Sequence, residues 1–172
     1  MMNKDILLCG VGGQGIVLVS KLLAASAMAS GEQVHSAETI GMAQRGGSVT
    51  SHVRIGESFS PLIPKGSADL LIAFEPAEAV RNLPYLKKGG TVIVSSSAVM
   101  PVTASLTGGK YEAAPMLRYL EEKAGRLITA DPDVLCAPLH SVKFFNVVML
   151  GIATATGATG LPEETVRQSV ET

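Results

Sequence analysis

The stretch that decides the fold is Gly10-Val11-Gly12-Gly13-Gln14-Gly15, which follows an apolar run over residues 6–9 and precedes a long apolar segment from Ile16. This succession predicts a strand, a tight turn and a helix. Glycines let a phosphate or another chain approach the backbone, and the free N–H groups that open a helix attract anions. The turn is therefore a candidate phosphate site formed by Gly10, Gly12, Gly13, Gln14 and Gly15. Close packing of the helix on the strand is the alternative explanation for the same glycines.

Gly10, Gly12 and Gly15 also satisfy the dinucleotide-binding pattern G-x-G-x-x-G in its required context. That pattern expects an acidic residue roughly 20 residues further on, where it binds a ribose hydroxyl. Glu38 is the candidate, just past a second strand predicted over residues 33–37, although a turn-capping carboxylate explains it equally well. A small NAD- or FAD-binding reductase is therefore one interpretation that the sequence leaves open.

A second informative stretch, residues 38–47, follows neither the helical nor the strand period and predicts a loop. Arg45 is its strongest candidate, because a guanidinium binds a phosphate or a carboxylate through two parallel hydrogen bonds. A surface ion pair is the alternative role. The residues of this loop that complete the candidate site are Gly41, Gln44, Gly46 and Gly47.

Strands and helices alternate along the rest of the chain. Strands are predicted over residues 48–55, 69–74, 91–95 and 126–130, and helices over residues 77–86, 115–124, 143–156 and 161–170. The fold class is therefore α/β, with residues 1–172 forming one doubly wound, mostly parallel, Rossmann-like sheet that has an antiparallel edge strand. That antiparallel strand is predicted at residues 48–55, with His52 on its exposed face.

Ligands bind such sheets outside the carboxyl ends of the strands. The glycine turn at residues 10–15 and the loop at residues 38–47 both leave those ends, so we expect them to share one cleft. The helix predicted over residues 143–156 is apolar nearly all round, which predicts that it is covered on both sides. Residues 133–141 give no clear pattern.

Composition narrows the function. The 172 residues carry a net charge of −1 with few aromatic side chains, which argues against nucleic acid or an anionic membrane as the partner. With 47% hydrophobic and 17% charged residues and a mean hydropathy of +0.32, part of the surface is expected to contact another protein, or a second copy when the chain is isolated. The two cysteines, Cys9 and Cys136, form no disulfide or cluster motif, and no leader or bilayer-crossing segment is recognised, so a cytoplasmic location is expected.

Five stretches together carry a resemblance to a known family. They are residues 10–15, residues 38–48 with Gln44-Arg45-Gly46-Gly47, residues 60–64, residues 68–76 and residues 146–151. The chain resembles the gamma subunit or domain of 2-oxoacid:ferredoxin oxidoreductases, most closely the form found as the beta subunit of indolepyruvate ferredoxin oxidoreductase. The resemblance covers nearly the whole chain. It departs from the family pattern at residues 133–141, where relatives carry an alanine- and glutamate-rich helix.

The resemblance implies a multisubunit enzyme that oxidatively decarboxylates a 2-oxoacid with thiamine diphosphate, forms an acyl-coenzyme A and passes electrons through iron–sulfur clusters to ferredoxin. The chain itself lacks cluster thiolates, a thiamine diphosphate and magnesium motif, and an obvious nucleophile–base pair, so we expect no catalytic or metal-binding residue in it. Its expected partners are the thiamine-binding and iron–sulfur subunits, and its expected role is to position coenzyme A (CoA) and close the thiamine site. A scaffold subunit with an empty glycine turn is the remaining alternative.

Overall fold

The computed structural model describes residues 2–40, 47–100 and 111–171. The strands are β1 (Lys4–Val11), β2 (Val34–Ile40), β3 (Ser48–Ile55), β4 (Ala68–Ala73), β5 (Leu86–Ser95) and β6 (Arg126–Ala130). The helices are α1 (Ile16–Ala29), α2 (Pro76–Asn82), α3 (Ala113–Lys123), α4 (Pro132–Cys136), α5 (Phe145–Ala155) and α6 (Glu163–Glu171). Short 3₁₀ turns lie at Leu83–Tyr85, Ala137–Leu139 and Val142–Phe144.

The six strands of the described residues form one sheet in the order β2-β3-β1-β4-β5-β6. Strands β1, β4, β5 and β6 are parallel to their neighbours in that series, whereas β3 is antiparallel to both β1 and β2. This confirms the predicted α/β class with its mostly parallel sheet. The antiparallel strand lies one place in from the edge, because β3 forms a hairpin with β2 and pairs along its whole length with β1, from Lys4↔Ile55 to Val11↔Ser48.

Helices cover both faces of the sheet, as the doubly wound prediction requires. Helices α1, α5 and α6 pack on one face, where the core includes Ile6, Leu8 and Leu23. Helices α2 and α3 pack on the other face over Leu7 and Leu71. Strand β1 is fully buried at its centre because its apolar residues are continuous and face helices on both sides.

Several predicted elements differ from the structure. The helix predicted over residues 77–86 ends at Asn82, and the strand predicted over residues 91–95 begins at Leu86, because a 3₁₀ turn leads directly from the helix into β5. Strand β2 continues through Glu38, because pairing with β3 extends the hairpin beyond residue 37. Residues 133–141 form most of α4 and a 3₁₀ turn.

His52 is not exposed as predicted, being only 5% accessible. The residues after β3 return across this face, where the Ile63 amide donates to His52 Nδ1 at 3.1 Å and the Tyr85 ring packs edge-on against the imidazole. Burial, and then the charge of Arg54, lowers the pKa of His52. The polar residues that alternate with apolar ones along β3 therefore lie on a face that a loop covers.

Helix α5 is less covered than its composition predicted. Met149, Leu150, Ala153 and Thr154 are buried, but Gly151 and Ala155 are exposed. Among the described residues, no single helix has the length and apolar character needed to cross a bilayer; the bent pair Pro132–Leu139 and Val142–Ala155, at 112°, meets that criterion by length and composition alone.

Candidate functional site

A recess of about 390 Å³ opens at the carboxyl ends of the parallel strands, where the fold class predicts a ligand. The glycine turn after β1 forms one wall, and the residues after β5 and the start of α5 form the others. Its lining includes Gly13, Gln14, Phe74, Ser97, Lys143 and Asn146.

Hydrogen bonds within the protein hold the glycine turn. The Gly12 amide donates to the Gly47 carbonyl at 2.8 Å, and the Gln14 amide donates to the Val11 carbonyl at 3.2 Å. The Gln14 side chain spans two strand ends, since its Oε1 accepts from the Val11 amide at 2.7 Å and its Nε2 donates to the Phe74 carbonyl at 3.0 Å. Three amides of the turn are therefore already paired, and Gln14 fastens β1 to β4 beside the recess.

Two glycines of the turn are required by close approach. A Cβ on Gly10 would lie 2.6 Å from Gln14 Oε1, so any side chain at position 10 displaces that bridge. Gly15 has φ +80° and precedes α1, and the amide group of Asn146 occupies the space that a Cβ would fill. The start of α5 thus covers part of the helix terminus that the glycine pattern offers to an anion. Gly13, with φ +102°, faces open space at the recess.

The sequence predicted that the glycine turn at residues 10–15 and the loop at residues 38–47 share one cleft. Within the described residues, the Gly47 carbonyl accepts a hydrogen bond from the Gly12 amide, which brings the end of that loop against the glycine turn. Gly41, Gln44, Arg45 and Gly46 lie outside the described residues, so their predicted contacts stay predictions.

Glu38 lies away from the recess on the exposed edge strand β2, where its carboxylate accepts from Ser20 Oγ at 3.3 Å. Because β3 separates β2 from β1, two strand spacings, or roughly 10 Å, lie between the Glu38 strand and the strand of the glycine turn. In the dinucleotide fold the acidic residue follows the strand directly beside the first. This strand order does not place Glu38 to bind the ribose of a nucleotide held at the turn.

Two buried carboxylates at the start of α2 were not among the predicted site residues. Glu75 caps the helix through the Glu78 amide at 3.0 Å and accepts from the Tyr111 hydroxyl at 2.8 Å. Glu78 accepts from Ser48 Oγ at 2.6 Å and from Arg81 at 2.5 Å. Pro76 predicts that a helix begins there, but it does not predict the Glu75 cap, and the contacts with Ser48 and Tyr111 are long-range and leave no sequence signal.

The recess holds no evident catalytic machinery in the part of the chain that the structure describes. Its lining includes neither histidine nor cysteine, and no group of three or more His, Cys, Asp or Glu side chains among the described residues could hold a metal. Burial, followed by the charges of Glu78 and Glu75, raises the pKa of Cys9, and burial also raises that of Cys136. Neither thiol is set up as a thiolate ligand or nucleophile.

Comparison with known proteins agrees with this description. Residues 5–172 match the family model of pyruvate ferredoxin/flavodoxin oxidoreductase. The chain belongs to this family. It is a gamma-type subunit of a 2-oxoacid:ferredoxin oxidoreductase, and the family membership sets aside the reading of the chain as a small independent reductase.

Among the relatives of this gamma-type subunit is the indolepyruvate oxidoreductase subunit IorB of Methanothermobacter thermautotrophicus, 38% identical over 170 residues that cover 98% of this chain and 87% of the relative. Pyruvate oxidoreductase subunit PORC from Thermotoga maritima has the same fold, with a TM-score of 0.70 at 19% identity over 99% of this chain and 85% of that one. A 2-oxoglutarate:ferredoxin oxidoreductase from Magnetococcus marinus, solved with 2-oxoglutarate, coenzyme A and succinyl-CoA bound, gives a TM-score of 0.70 at 19% identity and covers 98% of this chain but 26% of that chain.

Proposed function

We propose that this gamma-type subunit positions CoA and helps to close the thiamine site of an enzyme that converts an indolepyruvate-like 2-oxoacid to its acyl-CoA. The observation that supports the proposal is the recess at the carboxyl ends of the parallel strands. Its described lining residues include polar groups that can hold a ligand, and no histidine or cysteine lies among them. Thiamine diphosphate, magnesium and iron–sulfur clusters then belong to partner subunits, which deliver electrons to ferredoxin.

The walls of the recess suit a phosphorylated, partly apolar ligand such as CoA. Lys143 brings an ammonium group and Asn146 a side-chain amide, while Phe74 and Phe145 contribute aromatic surface. Charge-assisted hydrogen bonds from lysine favour phosphate oxygens, and apolar rings favour the flat face of an adenine. Asp133, also on the lining, offers an acceptor to an amino or hydroxyl group. Arg45, in the stretch that the sequence predicts as a loop over residues 38–47, is proposed as a second phosphate-binding cation.

Apolar surface beside the recess supports its closure by a partner subunit. Val134, Leu139, Val142 and Phe144 are 68%, 46%, 57% and 52% exposed, and all belong to or flank the short helices between β6 and α5. Clustered exposed apolar side chains of this kind mark protein–protein contacts. A large thiamine-binding chain that covers this surface would shield both the recess and the adjoining active site from water.

Reconstitution tests the proposal. The thiamine-binding and iron–sulfur subunits are assayed for indolepyruvate-dependent ferredoxin reduction with and without this chain, and the chain is assayed alone. We expect activity only in the assembled enzyme, and a KM for CoA that rises when Lys143→Gln replaces the wild-type chain while the exposed, distant Lys88→Gln leaves it unchanged. A scaffold with an empty glycine turn predicts instead that the KM for CoA is the same in all three enzymes.

A further inference from the structure

Two carboxylates lie almost completely buried beside the recess, at the start of α2. Glu75 is 2% exposed and Glu78 is 6% exposed. Burying a carboxylate is unfavourable unless hydrogen bonds and opposite charges compensate, and an apolar pair of similar size often stabilises a core more. Hydrogen bonds to other parts of the chain must therefore offset the cost of burying Glu75 and Glu78.

Glu78 connects α2 to the glycine turn through three successive contacts. Its Oε2 accepts from Ser48 Oγ at 2.6 Å, and Ser48 directly follows Gly47, whose carbonyl accepts from the Gly12 amide at 2.8 Å. The Arg81 guanidinium fixes the other Glu78 oxygen at 2.5 Å. Since Gly13 lines the recess next to Gly12, the Glu78 carboxylate restrains the wall that the glycine turn forms.

Glu75 restrains the adjoining wall. It follows Phe74, which lines the recess and whose carbonyl accepts from Gln14 Nε2 at 3.0 Å. Its Oε1 accepts from the Tyr111 hydroxyl at 2.8 Å, while its Oε2 accepts from the Glu78 amide at 3.0 Å. The Glu75 carboxylate is thus bonded to the backbone of Glu78, and the two side chains accept hydrogen bonds from Ser48 and Tyr111, which lie in separate parts of the chain.

We propose that Glu75 and Glu78 are positioning residues, which hold β3 and the Tyr111 segment against α2 and so keep the recess in the shape that receives its ligand. They touch no ligand themselves. That this ligand is CoA rests on the function proposed above, whereas the mechanical role of the pair does not.

Hydrogen exchange tests the mechanical role without any ligand. Ser48→Ala removes the donor to Glu78 and is expected to raise the exchange rate of the Gly12 amide at least tenfold, while the amides of the buried strand residues Leu8 and Ile93 keep their rates. Ser48→Thr retains the hydroxyl and is expected to restore slow exchange at Gly12. Ser169→Ala, in α6, is the matched control. Equal acceleration at Gly12, Leu8 and Ile93 would indicate a general loss of stability and would overturn the proposal.

Kinetics of the assembled enzyme test the consequence. Ser48→Ala and Tyr111→Phe are each expected to raise the KM for CoA about threefold to tenfold with little change in kcat. The double variant is expected to fall short of the product of the two effects, because Glu75 and Glu78 are joined through the Glu78 amide. Glu164→Gln, an exposed carboxylate paired with Arg167, is the control.

The outcomes separate the two proposals. If CoA does not bind the wild-type enzyme through this chain but Ser48→Ala still accelerates Gly12 exchange, the CoA assignment fails and the positioning role stands. If CoA binds as proposed while Ser48→Ala and Tyr111→Phe change neither Gly12 exchange nor the KM, the positioning role is refuted and the CoA assignment stands.

Discussion

The Gly12 amide donates a 2.8 Å hydrogen bond to the Gly47 carbonyl, which joins the glycine turn after β1 to the end of the β2–β3 connection. The bond exists because β3 pairs with β1 in register up to Val11↔Ser48, so Gly47 emerges directly beside the turn. Two residues that are 35 positions apart in the sequence therefore meet next to Gly13, which lines the recess.

The contact between Gly15 and Asn146 makes residue 15 intolerant of a side chain. Gly15→Ala places alanine in the left-handed region, which costs roughly 1–2 kcal/mol, and forces it against the Asn146 amide, which costs a further 1–3 kcal/mol or so. Gly13 has a similarly positive φ but no atom near the place a Cβ would take, so we expect Gly13→Ala to cost only the backbone strain of roughly 1–2 kcal/mol. Urea denaturation measures both, and Asn146→Ala should recover part of the loss in Gly15→Ala. Equal losses at Gly13 and Gly15 would contradict the Asn146 contact.

Gln14 is expected to act as a structural bridge. Gln14→Glu keeps an oxygen for the Val11 amide but directs a carboxylate at the Phe74 carbonyl, where an N–H now donates. Losing that donor is expected to lower the free energy of unfolding by about 1–3 kcal/mol. The exposed Gln33→Glu serves as the control. An unchanged denaturation midpoint in Gln14→Glu would show that the bridge is not formed.

His52 gives the fold a defined sensitivity to acid. Burial first, and Arg54 second, lowers the pKa of this imidazole below its ordinary value of 6.5. The unfolded chain therefore takes up a proton at higher pH than the folded one, so the stabilising contribution of neutral His52 is complete above pH 6.5 and declines as pH falls through the range below it.

We expect His52→Gln to flatten the loss of stability between pH 7 and pH 5, measured by denaturation at each pH, whereas the exposed His35→Gln should leave the slope as it is. Comparable slopes in wild type and His52→Gln would mean that the imidazole titrates alike in the folded and unfolded chain.

The inserted strand β3 predicts that NADH is not a ligand. Glu38 is held on the far side of β3 and contacts Ser20, so its carboxylate is not placed for the ribose of a nucleotide at the glycine turn. Titration followed by nicotinamide fluorescence is expected to show no saturable binding. Micromolar affinity that Glu38→Gln weakens would contradict this, because only a ribose contact gives Glu38 such an effect.

Local patterns allowed much of this architecture to be predicted. The continuous apolar run of β1, the alternation of β3 and the proline at the start of α2 each identified an element, since each depends on neighbours in the sequence. The glycine turn at residues 10–15 and the loop at residues 38–47 were predicted to share a cleft because both leave the same edge of the sheet. The Gly12–Gly47 hydrogen bond is the part of this prediction that lies within the described residues.

Long-range contacts could not be predicted in the same way. The burial of His52 depends on a loop that returns across β3, and the contacts of Glu75 and Glu78 depend on Tyr111 and Ser48, distant in sequence. The hydrophobic period of a strand does not determine which strand it pairs with, so it could not predict that β3 lies between β1 and β2. The positioning pair and the displacement of Glu38 therefore emerge only from the three-dimensional fold.

The most direct test of the central claim is a calorimetric titration of the assembled enzyme with CoA, comparing wild type with Lys143→Gln and Lys88→Gln in this chain. If the recess holds CoA, Lys143→Gln weakens binding by roughly fivefold to twentyfold, the equivalent of 1–2 kcal/mol for one charge-assisted contact, and Lys88→Gln binds as wild type does. Identical CoA affinity in all three enzymes would contradict the claim that this recess positions the coenzyme.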